Sequence, residues 1–184
     1  MNRRILILTC ILITRLDPVE AVSAQTMDQE YKVKAAFLYN FLKTVTWPDR
    51  DETGPYRIGL LGEDRFQDAF DPIKGKTVRD RAVVVQRFSQ AEQRTEVLRQ
   101  CHILFIGASE KETLAQILQA VHGAPVLTVG ETGGFLETGG MINFIPGAEK
   151  GEFEIHLSVC QAVGLGVSSK LLRIARRVLQ DESS

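Results

Sequence analysis

Three histidines, His102, His122 and His156, are the first candidates for metal or acid–base chemistry in this chain. None stands at ligand spacing to another His, Cys or carboxylate on one element, as a zinc site requires. Their expected places are structural: a strand start, a helix end and a hairpin strand. Gly75-Lys76-Thr77 has the form of a phosphate-loop tail, but that motif needs a glycine five positions earlier, where Phe70 stands. Gly164-Leu165-Gly166-Val167-Ser168-Ser169 is close to a dinucleotide fingerprint, with Ser169 in place of the third glycine and a helix-like segment before it. These glycines are expected to break one helix, and Ser168 to cap the next. No Gly-x-Ser-x-Gly elbow occurs. The sequence predicts no catalytic residue, no metal site and no cofactor.

Two sets of residues stay open to function. The first is Cys101 and Cys160, which can pair, be buried as free thiols, or act in redox chemistry. Pairing demands Cα atoms within about 7 Å, a geometry that sequence does not supply. The second set lies just past expected strand ends: Glu63-Asp64, Gly107 with Ser109, and Gly130 with Glu131. In an open α/β sheet, ligands bind outside the carboxyl ends of the strands. The backbone at Ala108-Ser109-Glu110 would also offer a helix N-terminus to an anion. Gly107, Ser109, Gly130 and Glu131 are therefore the expected ligand loops, against the plainer reading of turn and cap residues.

The elements that position these residues follow from periodicity. Residues 56–61 and 82–85, then 102–106 and 125–129, are short apolar or β-branched runs that read as strands. Between them come helical stretches. Ser89 with Glu92 forms a capping box for a helix to about residue 100, and Ser109 is the expected N-cap of a helix over 110–122. Continuous apolar strands alternating with amphipathic helices predict a mostly parallel sheet covered on both faces. Residues 141–145 and 152–157 then read as a hairpin, and two helices follow near 157–163 and 168–179. The expected fold is a single α/β domain over residues 25–184, with no internal repeat and no interdomain linker.

The helix over residues 30–45 is the most telling segment. Val33, Ala36, Phe37 and Phe41 fill one side, and Leu38, Leu42 and Val45 continue around it. The apolar arc is far wider than the 100° or so that a surface helix needs. Either the helix is wedged into the core, or its second face meets another chain. On the second reading Leu38, Leu42 and Val45 are the expected partner or dimer surface.

Composition sets the class. Net charge is −1, so the basic excess of a general nucleic-acid binder is missing, and no nucleic-acid partner is expected. A hydrophobic fraction of 44% argues against disorder. Met1-Asn2-Arg3-Arg4, an aliphatic run to Ile13 and Ala21-Val22-Ser23-Ala24 read as a signal peptide over residues 1–24, cleaved near Ala24. The alternative is an uncleaved anchor, although the run falls short of the roughly 20 residues a membrane span needs. The chain is expected to be exported to an oxidising compartment.

Four motifs in order resemble the YfiR family. They are Lys34-Ala35-Ala36-Phe37-Leu38-Tyr39-Asn40-Phe41 with Trp47-Pro48; Gly134-Phe135 through Gly139-Gly140-Met141-Ile142-Asn143-Phe144; Phe153-Glu154-Ile155; and Gly164-Leu165 with Ser168-Ser169-Lys170-Leu171-Leu172. The resemblance covers residues 30 to 179. It implies an exported, periplasmic bacterial regulator of α/β fold, not an enzyme, that binds the periplasmic part of a membrane diguanylate cyclase and represses it. Cyclic di-GMP and biofilm formation would fall as a result. Another receptor, such as a sensor kinase fed by a small-ligand module, is the alternative. His156 stands where the family usually has Asn. Only Cys101 and Cys160 follow the leader, where some members carry more cysteines, which weighs against redox control.

Overall fold

The computed structural model describes residues 18–48, 53–88, 95–147 and 151–181, with side chains from residue 27 onward. The expected leader lies outside the described residues except for the backbone from residue 18, and the Ser89–Glu92 box lies outside them too. The chain runs α1 (Pro18–Thr44), β1 (Val45–Thr46), β2 (Tyr56–Leu61), β3 (Thr77–Val78), β4 (Arg81–Phe88), α2 (Thr95–Leu98), β5 (Ile103–Ile106), α3 (Leu114–Ala120), β6 (Leu127–Gly130), β7 (Ile142–Phe144), β8 (Phe153–His156), α4 (Leu157–Ala162), β9 (Gly166–Val167), α5 (Ser169–Ile174) and β10 (Arg177–Leu179).

Eight strands form one sheet in the order β10-β8-β7-β6-β5-β2-β4-β3. β4, β2, β5, β6 and β7 run parallel. β8 returns antiparallel to β7, which is the expected hairpin. This is the mostly parallel α/β architecture read from the sequence. Strand residues alternate between two cores, as a period of two requires. Ile58, Ile103, Phe105, Leu127 and Val129 face α1. Leu61, Leu104, Ile106 and Val126 face α2 and α3. Both faces are covered, so the central strands are mostly apolar, and β5, Ile103-Leu104-Phe105-Ile106, is wholly so.

The first helix is wedged into the core. Leu38, Leu42 and Val45 are each 0% exposed. The expectation of a partner or dimer surface through these three is therefore corrected: the wide apolar arc fits between the sheet and the C-terminal elements. Phe41 meets Phe153 at 5.4 Å between ring centroids and Phe144 at 6.2 Å. At its end, Val45 and Thr46 pair with Val167 and Gly166, and Ser168 N–H donates to Thr44 O, which ties α1 to the C-terminal elements.

Two further expectations are corrected. The helix expected over 168–179 stops at Ile174. Ala175 is extended (φ −68°, ψ 139°), and Arg177–Leu179 form β10, parallel to β8. Ser109 is not an N-cap. It lies within a single 3₁₀ turn, Ala108–Glu110, and α3 begins only at Leu114. Ser168 does cap α5, accepting from Leu171 N–H at 3.3 Å.

The glycine-rich stretch after β6 has a packing cause. Phe135 is 0% exposed and lies against the backbone of Gly130 and Gly140. A Cβ at either position would run into its ring. Asn143, 2% exposed, then joins this loop to the hairpin. Its Oδ1 accepts from Thr132 N–H at 3.1 Å and its Nδ2 donates to Glu154 at 3.2 Å. Glu154 also accepts from Arg177 on β10 at 2.8 Å.

Candidate functional site

The carboxyl ends of β2, β5 and β6 gather the expected ligand loops. Gly62 (φ +101°) turns the chain after β2 beneath the Ser109 hydroxyl, where a Cβ would lie only 2.5 Å from Oγ. Glu63 N–H donates to Ser109 Oγ at 2.9 Å. Gly107 N–H donates to Leu61 O at 2.9 Å, closing the β5 end against β2. Gly130 ends β6 and Glu131 follows it.

Glu131 is the centre of this arrangement and is buried. Its Oε1 accepts from Ala108 N–H at 3.1 Å, and the Tyr31 hydroxyl lies 2.9 Å from both oxygens. Lys34 Nζ reaches Oε2 at 2.6 Å and Glu30 Oε1 at 2.5 Å. The ammonium also sits 4.4 Å from the Tyr31 ring centroid, where a cation is attracted by the ring face. Tyr31 titrates well above its ordinary range, because burial and then the Glu131 charge disfavour the phenolate. The phenol therefore keeps its proton and donates it to the carboxylate.

The sequence placed an anion on the Ala108–Glu110 backbone. The anion in place is the chain's own Glu131 carboxylate. Donors from α1 and from the 3₁₀ turn converge on it, so the strand ends and the first helix are held together by one buried charge cluster. Gly107, Ser109, Gly130 and Glu131, the expected ligand loops, lie at these strand ends, where the Glu131 carboxylate is held by partners within the chain. Tyr31 and Lys34 were not singled out for this cluster from the sequence. The signal was present: Lys34 falls in the apolar stripe of α1 with Leu38 and Phe41, and a charge in such a stripe needs a buried counterion.

Beside the cluster lies a 360 Å³ cavity lined by Met27, Asp28, Tyr31, Glu63, Asp64, Arg65 and Gln67. Its charges are mutually paired in part, Arg65 with Glu63 at 3.1 Å. Among the described residues, no group of three His, Cys, Asp or Glu could hold a metal ion.

Cys101 and Cys160 are buried thiols in no disulfide. Cys101 packs in the core on the α2–α3 face and Cys160 in the core on the α1 face, so the sheet separates them. A disulfide between them is excluded by this placement. Burial pushes the Cys160 thiol up to about 12, which keeps it protonated and unreactive near neutral pH. The redox expectation for this residue is corrected on the same ground. Each histidine has a structural place. His102 Nδ1 accepts from Arg57 N–H at 3.1 Å, and its ring lies 4.8 Å from that of Tyr56. His122 follows α3, and His156 ends β8 with its Nδ1 buried and unpartnered among the described residues.

The YfiR/HmsC-like family profile matches residues 31–176. The chain belongs to the YfiR/HmsC-like family. That match spans α1 from Tyr31 to the residue before β10. Two solved structures share the fold of this YfiR/HmsC-like chain. One is a conserved domain protein from Vibrio cholerae (TM-score 0.56, 10% identity, 80% of this chain and 60% of that one). The other is an ABC domain in complex with L-Trp from Streptococcus pneumonia (TM-score 0.53, 11% identity, 83% and 60%). This chain spans about three-fifths of the length of each, and identities so low establish the fold alone.

Proposed function

We propose that this protein is a periplasmic regulator that binds a membrane signalling protein, a diguanylate cyclase, and represses it. The observation that carries this reading is the family match across the α/β domain. Two features agree with it. No helix among the described residues is long and apolar enough to cross a membrane. The carboxylate at the strand ends is engaged by Tyr31, Lys34 and Ala108 rather than presented to a substrate.

Repression of this kind is a population shift. The regulator must bind the inactive state of the receptor more tightly than the active state. Taking a receptor from 1:99 to 99:1 needs about 5.5 kcal/mol of differential binding. The test is cyclase activity of isolated inner membranes titrated with the purified protein. Cyclic di-GMP synthesis is expected to fall with a saturable dose dependence. Unchanged synthesis at saturating protein contradicts the reading.

A second reading, a small-ligand module, draws on the 360 Å³ cavity at the end of β2. A ligand there would touch Tyr31 and so the cluster that anchors α1. A thermal-shift screen with Tyr31→Phe as the comparison tests it; no ligand that shifts the wild-type melt contradicts it.

A further inference from the structure

A groove of 470 Å³ runs between α1 and α5. Its apolar lining is Phe37, Phe41, Leu171 and Ile174. Ile174 is 58% exposed, the largest exposure among the large apolar side chains described. Among the described residues the charged groups lining the groove are Lys43 and Lys170, with no carboxylate. Lys43 rests 4.0 Å from the Tyr39 ring centroid. Neither lysine, nor Arg173 beside Ile174, has an ion pair among the described residues. Other surface cations such as Lys32, Arg87 and Arg177 have carboxylate partners, whereas the exposed Lys76 and Lys111 have none among the described residues. In a chain of net charge −1, a groove whose described lining is apolar and cationic is a local departure in both polarity and sign.

We propose that this groove is the docking surface for an amphipathic, acidic segment of the membrane partner's protein chain. The proposal rests on the reading that such a partner exists, and adds where it binds and by what chemistry. An amphipathic helix lays its apolar face into a groove of this kind and keeps its polar face in water. Its carboxylates would complete the pairs that Lys43, Lys170 and Arg173 lack. Opposite charges of this type steer association and select the partner. An acyl chain satisfies the groove less well. A small apolar ligand is normally enclosed over most of its surface, whereas Ile174 and the lysines stand open to solvent.

The experiment is cosedimentation of the purified protein with inner membranes from a strain lacking it, and with protein-free vesicles made from the lipids of those membranes. Wild-type protein is expected to sediment with the membranes and to stay in solution with the vesicles. Ile174→Glu and the double variant Lys43→Glu/Lys170→Glu should each weaken membrane binding at least tenfold. Val84→Glu places a charge at another exposed apolar position, on β4, and should bind as wild type. All four positions are exposed, so circular dichroism should report intact folds. Membrane binding unaltered in both groove variants overturns the proposal. So does equal binding to the vesicles, which would assign the groove to a lipid surface, and so does absence of membrane binding. Failure of repression is read separately, from the cyclase titration. Groove-dependent binding without loss of cyclic di-GMP synthesis would keep the docking surface and remove the repressor reading.

Discussion

Lys34 is 5% exposed, and its ammonium is held by Glu131 at 2.6 Å. Glu131→Gln keeps the shape and an acceptor for Ala108 N–H and the Tyr31 hydroxyl, but removes the charge. Lys34 would then keep only the half-exposed Glu30 as counterion, and breaking a buried pair from one side costs up to about 3 kcal/mol. A lower urea midpoint of that size, with an unchanged m-value, is the expected result, and an unshifted midpoint would remove the cluster from the account. Cys160 gives a pH prediction at the same scale. Its folded-state thiol is pushed up to about 12, while an unperturbed thiol titrates at about 8.5. The fold holds this proton more tightly than the unfolded chain does. The stability the group contributes is therefore complete below about 8.5 and is lost as pH rises from there through about 12. Cys160→Ala should flatten the fall in stability across that window. Thiol alkylation near neutral pH should label Cys160 only after denaturation; fast labelling of the folded protein would contradict its burial.

Packing of elements explains both what the sequence disclosed and what it hid. β2, β5 and β6 were legible because strands covered on both faces are mostly apolar, as in the unbroken run Ile103-Leu104-Phe105-Ile106. The wide apolar arc of α1 was legible, but its partner was not. Periodicity shows that Leu38 and Leu42 must be covered, and cannot say whether by the same chain or another. β10 was hidden because Leu171, Leu172, Ala175, Val178 and Leu179 repeat at helical spacing. Tertiary pairing overrides that local pattern: Arg176 N–H donates to Phe153 O at 2.8 Å, and Arg177 pairs with Glu154. At the strand ends, Ser109 matched a helix cap by type and position. Its hydroxyl instead accepts from Glu63, a residue 46 positions away, which no local reading could find. The glycine loop makes a prediction at this scale. Gly130→Ala puts a methyl group into the Phe135 ring, and overpacking of this kind costs about 3 kcal/mol. In a Phe135→Ala background the same change should cost less than about 1 kcal/mol, because the clash is gone. Equal costs in both backgrounds, measured by denaturant unfolding, would show that the ring is not what excludes a side chain at position 130.

For the whole molecule, the buried strand-end cluster and the α1–α5 groove lie on different parts of one α/β body. The first holds α1 to the sheet, and the second displays an unpaired basic and apolar face. The proposed function of that body is export followed by repression of a membrane cyclase. The measurement that tests this most directly is cellular cyclic di-GMP in the host bacterium after deletion of the gene, with restoration by the full-length chain or by a chain lacking residues 1–24. The account predicts that cyclic di-GMP rises on deletion, returns to its former level with the full-length chain, and stays high with the shortened one. Cyclic di-GMP that is unchanged by deletion, or restored equally by both chains, would contradict it.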